Sequence, residues 1–118
     1  MKKIVVLGGG GFIGGHLAKR LKNEGNFVRI CDIKNHDYFS HDEICNEFVL
    51  ADLTDPVVVA QVIDENVDEV YQLAADMGGA GYIFTGDNDA NVMHNSAMIN
   101  LNVAKEAVNK KKKKVFYS

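Results

Sequence analysis

Apolar positions in this chain come in short β-branched runs that alternate with longer stretches of helical spacing. Lys2 to Leu7 (KKIVVL) reads as a buried strand. From Phe12 to about Glu24, Ile13, Leu17 and Leu21 recur at helical spacing with Lys19, Arg20 and Lys22 outside, and Gly25 follows as a stop. Phe27 to Cys31 reads as a second strand, and Glu47 to Leu50 as a third after a polar stretch with a short helix near Asp42. Asp55 before Pro56 marks a helix start, a capping side chain followed by proline at the first helical position. That helix is expected to run to about Asn66 and to bury Val58, Val59, Val62 and Ile63. Glu69 to Leu73 is a fourth strand, 91–109 a long helix, and Lys114 to Tyr117 a fifth strand that ends at Ser118.

Apolar strands alternating with amphipathic helices predict a parallel sheet covered on both faces. The fold class is α/β, a doubly wound Rossmann-type sheet of about five strands, with residues 1–118 forming a single, incomplete domain of that kind. Two readings of the long helix stay open. Met93, Ala97, Leu101, Ala104 and Val108 form one apolar stripe and Ile99, Val103 and Ala107 a second. They are either one wide face on the sheet, or two faces of which one meets another subunit.

The stretch GGGGFIGGH, from Gly8 to His16, places six glycines in nine residues where the first strand turns into the first helix. Glycine weakens any regular element that contains it, so the bare backbone needs a reason. Gly8, Gly11 and Gly14 form G-x-x-G-x-x-G. The first allows a sharp turn out of the strand, the second lets a pyrophosphate approach, and the third lets the helix pack close to the sheet. The helix start adds unpaired N–H groups and a positive dipole end, and Phe12 and Ile13 in its first turn join the candidate contacts. Asp32, at the end of the second strand and roughly 20 residues on, is placed to accept hydrogen bonds from ribose hydroxyls and to repel a 2′-phosphate. Together they point to a dinucleotide, with NAD favoured over NADP; Lys34 nearby weakens that preference.

Other features exclude more than they suggest. The formal net charge of −3 gives no general case for nucleic acid, and no apolar run reaches the length of a membrane span. The short glycine-broken N-terminal run reads as mature sequence rather than a signal peptide. Cys31 and Cys45 make neither a disulfide framework nor a metal spacing and read as buried reduced thiols in a cytoplasmic protein. His16, His36, His41 and His94 show no metal pattern, and no metal is expected. Lys110 to Lys114, and the acidic group Asp64, Glu65, Asp68 and Glu69, read as solvated turns.

With these residues in hand, the chain resembles the extended short-chain dehydrogenase/reductase family, the NAD-dependent nucleotide-sugar epimerases and dehydratases. GGGGFIGGHLAKRL is similar to that family's glycine loop and first helix, except that Leu7 stands where Thr or Ser is usual. ADLTD matches the segment after strand three, which implies that Asp52 and Leu53 hold the adenine. LAAD matches the end of strand four and implies that Leu73, Ala74 and Ala75 pass under the nicotinamide ribose. Asn95 falls where the family carries an asparagine near the nicotinamide, with Ser96 where a second asparagine is common.

The run AADMGG narrows the resemblance to the branch that epimerises GDP-mannose at C3 and C5. It implies Met77, Gly78 and Gly79 as substrate contacts, and a reaction through transient oxidation of the hexose at C4. Other nucleotide-sugar 4-epimerases or dehydratases, and a non-catalytic dinucleotide-binding module, are the alternatives. In the family a Tyr-x-x-x-Lys pair and a substrate domain follow strand five. Tyr71 and Tyr82 lack that pattern and Tyr117 lies within a strand, so no catalytic residue is expected in these 118 residues. The chain alone is expected to be an inactive fragment that binds a dinucleotide weakly at best. The nucleotide sugar would then be a partner only of a complete enzyme, and a homodimer through helix 91–109 or the open sheet edge is possible; neither nucleic acid nor a membrane is expected.

Overall fold

The computed structural model describes residues 1–35, 39–74, 89–110 and 114–117, with side chains in the last helix from residue 97 onward. The elements are β1 (Lys3–Leu7), α1 (Phe12–Asn23), β2 (Phe27–Asp32), α2 (His41–Ile44), β3 (Glu47–Leu50), α3 (Pro56–Val62), β4 (Glu69–Gln72), α4 (Asp89–Asn109) and β5 (Lys114–Tyr117). They build a parallel sheet in the order β3-β2-β1-β4-β5. The chain steps outward from β1 to β3, then returns to the other side of β1. The strand order therefore reverses between β1 and β4, the place where open α/β sheets leave a crevice at their carboxyl edge.

Both faces of the central strands β1, β2 and β4 are buried, as their apolar sequences require, while the edge strands β3 and β5 are partly exposed. Val5 and Leu7 of β1 point to one face, where they join Val59, Val62 and Ile63 around α3 and Ile99 and Val103 of α4. Ile4 and Val6 point to the other, with Ala18 and Leu21 of α1 and Ile44 of α2. Of the two stripes on α4, Ile99, Val103 and Ala107 cover the sheet, while Leu101 and Val108 are 69% and 76% exposed. The helix thus has two distinct apolar faces, and one of them is unpartnered among the described residues.

Four sequence expectations change. Ile13 does not join the buried face of α1. That face is Gly14, Gly15, Ala18 and Leu21, because small residues bring the helix close to the sheet and turn Ile13 outward. Helix α3 stops at Val62 rather than near Asn66. Asp64 ends the helical path by accepting the N–H of Asn66 on its side chain and that of Val67 on its carbonyl. Only part of the acidic group is a solvated turn: Glu65 and Asp68 are exposed, but Asp64 pairs with Arg29 at 2.8 Å and Lys3 at 3.3 Å, and buried Glu69 pairs with Lys2 and Lys114. Lys110 is likewise engaged. Its ammonium donates to the carbonyls of Ala60 and Ile63 at the end of α3 and pairs with Glu106.

Cys31 and Cys45 are buried free thiols. Burial, reinforced by the neighbouring Asp32 charge, pushes Cys31 up to about 12. Burial pushes Cys45 up to about 11 against the opposing charge of Lys22. Among the described residues no helix is long and apolar enough to cross a membrane, and no group of three or more His, Cys, Asp or Glu could hold a metal.

Candidate functional site

β1 ends at Leu7 in the middle of the sheet, and the chain turns at once. Gly8 has φ +88°, a region that costs L side chains energy. Its N–H donates to the Cys31 carbonyl at 2.8 Å, and the Gly11 N–H closes the turn on the Gly8 carbonyl at 3.1 Å. A Cβ on Gly8 would lie 2.7 Å from the Ala74 nitrogen, so the glycine loop touches the exit of β4. At Gly14 a Cβ would collide with the Gly8 carbonyl and the Gly9 backbone, so the first turn of α1 is pressed against the glycine turn itself. Gly9 and Gly10, which the sequence reading left without a role, are equally tight. Added Cβ atoms there would strike Ile30 and the Lys34 carbonyl beside the Asp32 carboxylate. Gly11 differs, since a Cβ there would meet only the Gly8 carbonyl at 3.5 Å and otherwise open space.

The start of α1 is unfilled electrostatically. Gly11 at the N-cap supplies no side-chain acceptor, and no acidic residue stands in the first turn. The helix N-terminus thus presents uncapped N–H groups and the positive end of its dipole, which suits a diphosphate. Phe12 and Ile13, 65% and 73% exposed, stand at that opening. The Phe12 ring meets His16 edge-on at 4.7 Å, and His16 in turn meets Phe39.

Asp32 ends β2 beside this turn. Its Oδ2 accepts the Gly10 N–H at 2.9 Å and its Oδ1 the Ile33 N–H at 2.6 Å. Oδ1 also accepts the Lys34 N–H at 3.4 Å. A carboxylate offers about four lone-pair sites, so with three N–H groups bound, acceptor capacity remains on Oδ2 for a hydroxyl of a ribose diol. The Asp32 carbonyl receives the Ala51 N–H at 3.0 Å, which ties the end of β2 to the exit of β3. There Asp52 is exposed, with Oδ1 holding the Thr54 N–H and hydroxyl at 2.9 and 2.8 Å. The Leu53 side chain turns into the core at 3% exposure, so only its backbone faces the site.

Leu73 and Ala74 are half-buried at the exit of β4. Ala75, Met77, Gly78 and Gly79 lie outside the described residues, as does the side chain of Asn95. The structure therefore gathers Gly8, Gly11, Gly14, Asp32, Asp52, Leu53, Leu73 and Ala74 along one edge.

Three polar residues of this edge escaped the sequence reading. Buried Gln72 donates to the Ala74 carbonyl and to Asn100, each at 2.9 Å, and accepts the Ala74 N–H at 3.1 Å. Asn102 donates to the carbonyls of Leu53 and Thr54 at 3.2 and 3.1 Å. The available signal was an amide in an apolar strand and two asparagines flanking an apolar stripe.

A glycine turn, an uncapped helix start and a carboxylate one strand away, at the point where strand order reverses, define a dinucleotide-binding α/β domain. The chain belongs to the NAD dependent epimerase/dehydratase family, whose model matches residues 4–118. It is 41% identical over 116 residues to GDP-mannose 3,5-epimerase of Arabidopsis thaliana and 40% identical to GDP-mannose 3,5-epimerase 1 of Oryza sativa subsp. indica. In both cases 98% of this chain matches 30% of the relative, so the chain spans under a third of their length. A similar fold occurs in UDP-glucose-4-epimerase from Stenotrophomonas maltophila, solved with NAD and formylated UDP-arabinopyranose. The TM-score is 0.80 at 20% identity, over 99% of this chain and 36% of that one.

Proposed function

We propose that residues 1–118 form the NAD-binding portion of a cytoplasmic nucleotide-sugar epimerase that acts on a GDP-hexose, as the 3,5-epimerases it is similar to are named to do. The observation that carries the reading is the Asp32 carboxylate bonded to the Gly10 N–H beside an acid-free helix start. A phosphate belongs at the helix, and a ribose diol at the carboxylate. NAD, when bound, supplies a hydride acceptor for transient oxidation of the sugar.

This chain's residues bind and orient. Gly11 leaves room for the diphosphate, Phe12 and Ile13 edge that opening, and Gly14 keeps α1 near enough to aim its N–H groups. Asp32 grips the adenosine ribose and disfavours a 2′-phosphate. Asp52 and the Leu53 backbone flank the base, while Leu73 and Ala74 border the nicotinamide half, to which Ala75 and Asn95 are further proposed contacts. Met77, Gly78 and Gly79 are the proposed contacts to the sugar. Proton transfer needs an acid/base pair that these residues do not supply, so the isolated chain binds without turnover. The exposed Leu101 and Val108 face of α4 supports self-association; a purely monomeric sedimentation profile would remove that part.

Calorimetric titration of the chain with NAD and NADP tests the reading. NAD is expected to bind more tightly than NADP, and Asp32→Asn to weaken NAD by about tenfold, the loss of charged hydrogen bonds to the diol. Equal or tighter NADP binding by the native chain would refute the role of Asp32.

A further inference from the structure

Successive residues on a helix are turned by about 100°. Asn102 and Asn100 therefore stand on opposite flanks of the buried Ile99–Val103 line of α4. Each reaches a different strand exit at the carboxyl edge, Asn100 through Gln72 to β4 and Asn102 directly to β3. Between Leu50 and Pro56 the chain has left its strand and not yet entered α3. Its bonds include the Ala51 links to Asp32 and to the Cys31 thiol, the turn bond from Asp55 to Asp52, the Asp52–Thr54 contacts, and the Asp55 side chain and carbonyl that accept from Val57 and Val59 of α3. The Leu53 and Thr54 carbonyls both accept from the Asn102 side-chain amide.

Strand order gives this exit its meaning. A diphosphate at α1 follows β1, and a ribose at Asp32 follows β2, so the base continues over the end of β3, the next strand outward. We propose that Asn102 is a positioning residue for the dinucleotide's base. It holds the 52–54 turn at the height where Asp52 and the Leu53 backbone meet the adenine. The inference rests on the NAD reading above and adds a residue that lies on a helix crossing the opposite half of the sheet. It touches no ligand itself and acts through two carbonyls.

The test is an NAD titration of the 118-residue chain, followed amide by amide in NMR spectra, for the native protein, Asn102→Ala and Asn102→Asp. The aspartate keeps the shape and replaces the donor with an acceptor facing two carbonyls. It also carries the test should the alanine variant not fold. In both variants NAD affinity is expected to fall about tenfold, the effect of one or two lost hydrogen bonds. NAD-induced shifts at Asp52–Thr54 should shrink while those at Gly10–Gly14 persist at saturation. Unchanged affinity with unchanged shifts at Asp52–Thr54 would overturn the proposal. Equal loss at both segments would also overturn it, since that is general loosening rather than positioning. A native chain that shows no response to NAD contradicts the cofactor reading itself, and the inference falls with it.

Discussion

At the carboxyl edge of the sheet the chain is stripped to backbone. Gly8, Gly9 and Gly10 fill consecutive positions where any side chain would collide, and the nearest charge, Asp32, is held by main-chain N–H groups. At the amino edge of the same strands the opposite holds. Lys2, Lys3, Glu47, Glu69 and Lys114 sit at or beside strand starts and are tied up in ion pairs, with buried Arg29 reaching both Glu47 and Asp64. The contrast separates two jobs. Charges at the amino edge are paired with one another and satisfy the Val62 carbonyl at the end of α3. Groups at the carboxyl edge keep spare hydrogen-bonding capacity, which is what a ligand needs.

The largest difference in effect is expected between two glycines. Gly8 and Gly25 have similar dihedrals, φ +88° and +95°, but a Cβ on Gly25 meets nothing within 4 Å. Gly25→Ala should cost only the left-handed strain, about 1 kcal/mol. Gly8→Ala adds a clash with the backbone at Ala74 and should cost about 3 kcal/mol or more. Chemical denaturation of both variants measures the difference, and equal costs would show that the loop is not pinned against β4.

Arg29 comes next. Arg29→Ala leaves Asp64 and Glu47 without their guanidinium and the Val62 carbonyl without its donor. It should cost about 2–3 kcal/mol, discounted from a fully buried pair because both carboxylates are partly in water. Affinity at the carboxyl edge should stay unchanged, and a large loss of NAD binding in a folded Arg29→Ala chain would mean that the two edges are not separate.

A smaller effect appears in acid. Burial alone would raise the Asp64 carboxyl, but hydrogen bonds from Arg29, the Asn66 N–H and Lys3, with the Arg29 charge, bring it down to about 2 from 3.8. Between those values the unfolded chain binds more protons than the folded one. The stabilisation is complete above 3.8 and is lost as pH falls toward 2. After discounting for a side chain one-third in water, the loss is on the order of 1 kcal/mol. Asp64→Asn should flatten that part of the stability–pH curve; an unchanged slope would place the acid sensitivity elsewhere.

These two edges also differ in how far the sequence revealed them. Gly8 and Gly14 were legible because a strand and a helix of clear periodicity meet between them, so their constraint is local. Gly9 and Gly10 were not, since what forbids a side chain there is Ile30, Asp32 and Lys34, brought in by strand pairing about twenty residues away. The same reason hid the amino edge. Asp64 reads as a loop aspartate until β2 places Arg29 beside it, and Lys110 reads as one of a lysine run until α4 sets it over the end of α3. On α4 periodicity found both apolar stripes but not which one faces the sheet, because either satisfies helical spacing.

The carboxyl edge, and not the amino edge, is proposed to receive NAD. Amide NMR of the native chain titrated with NAD reads both at once. Shifts are expected at Gly10, Gly11, Phe12, Ile13, Asp32 and Asp52, with Lys3, Asp68 and Glu69 unmoved. Shifts concentrated at Lys3, Asp68 and Glu69, or none at the glycine turn at saturating NAD, would contradict it.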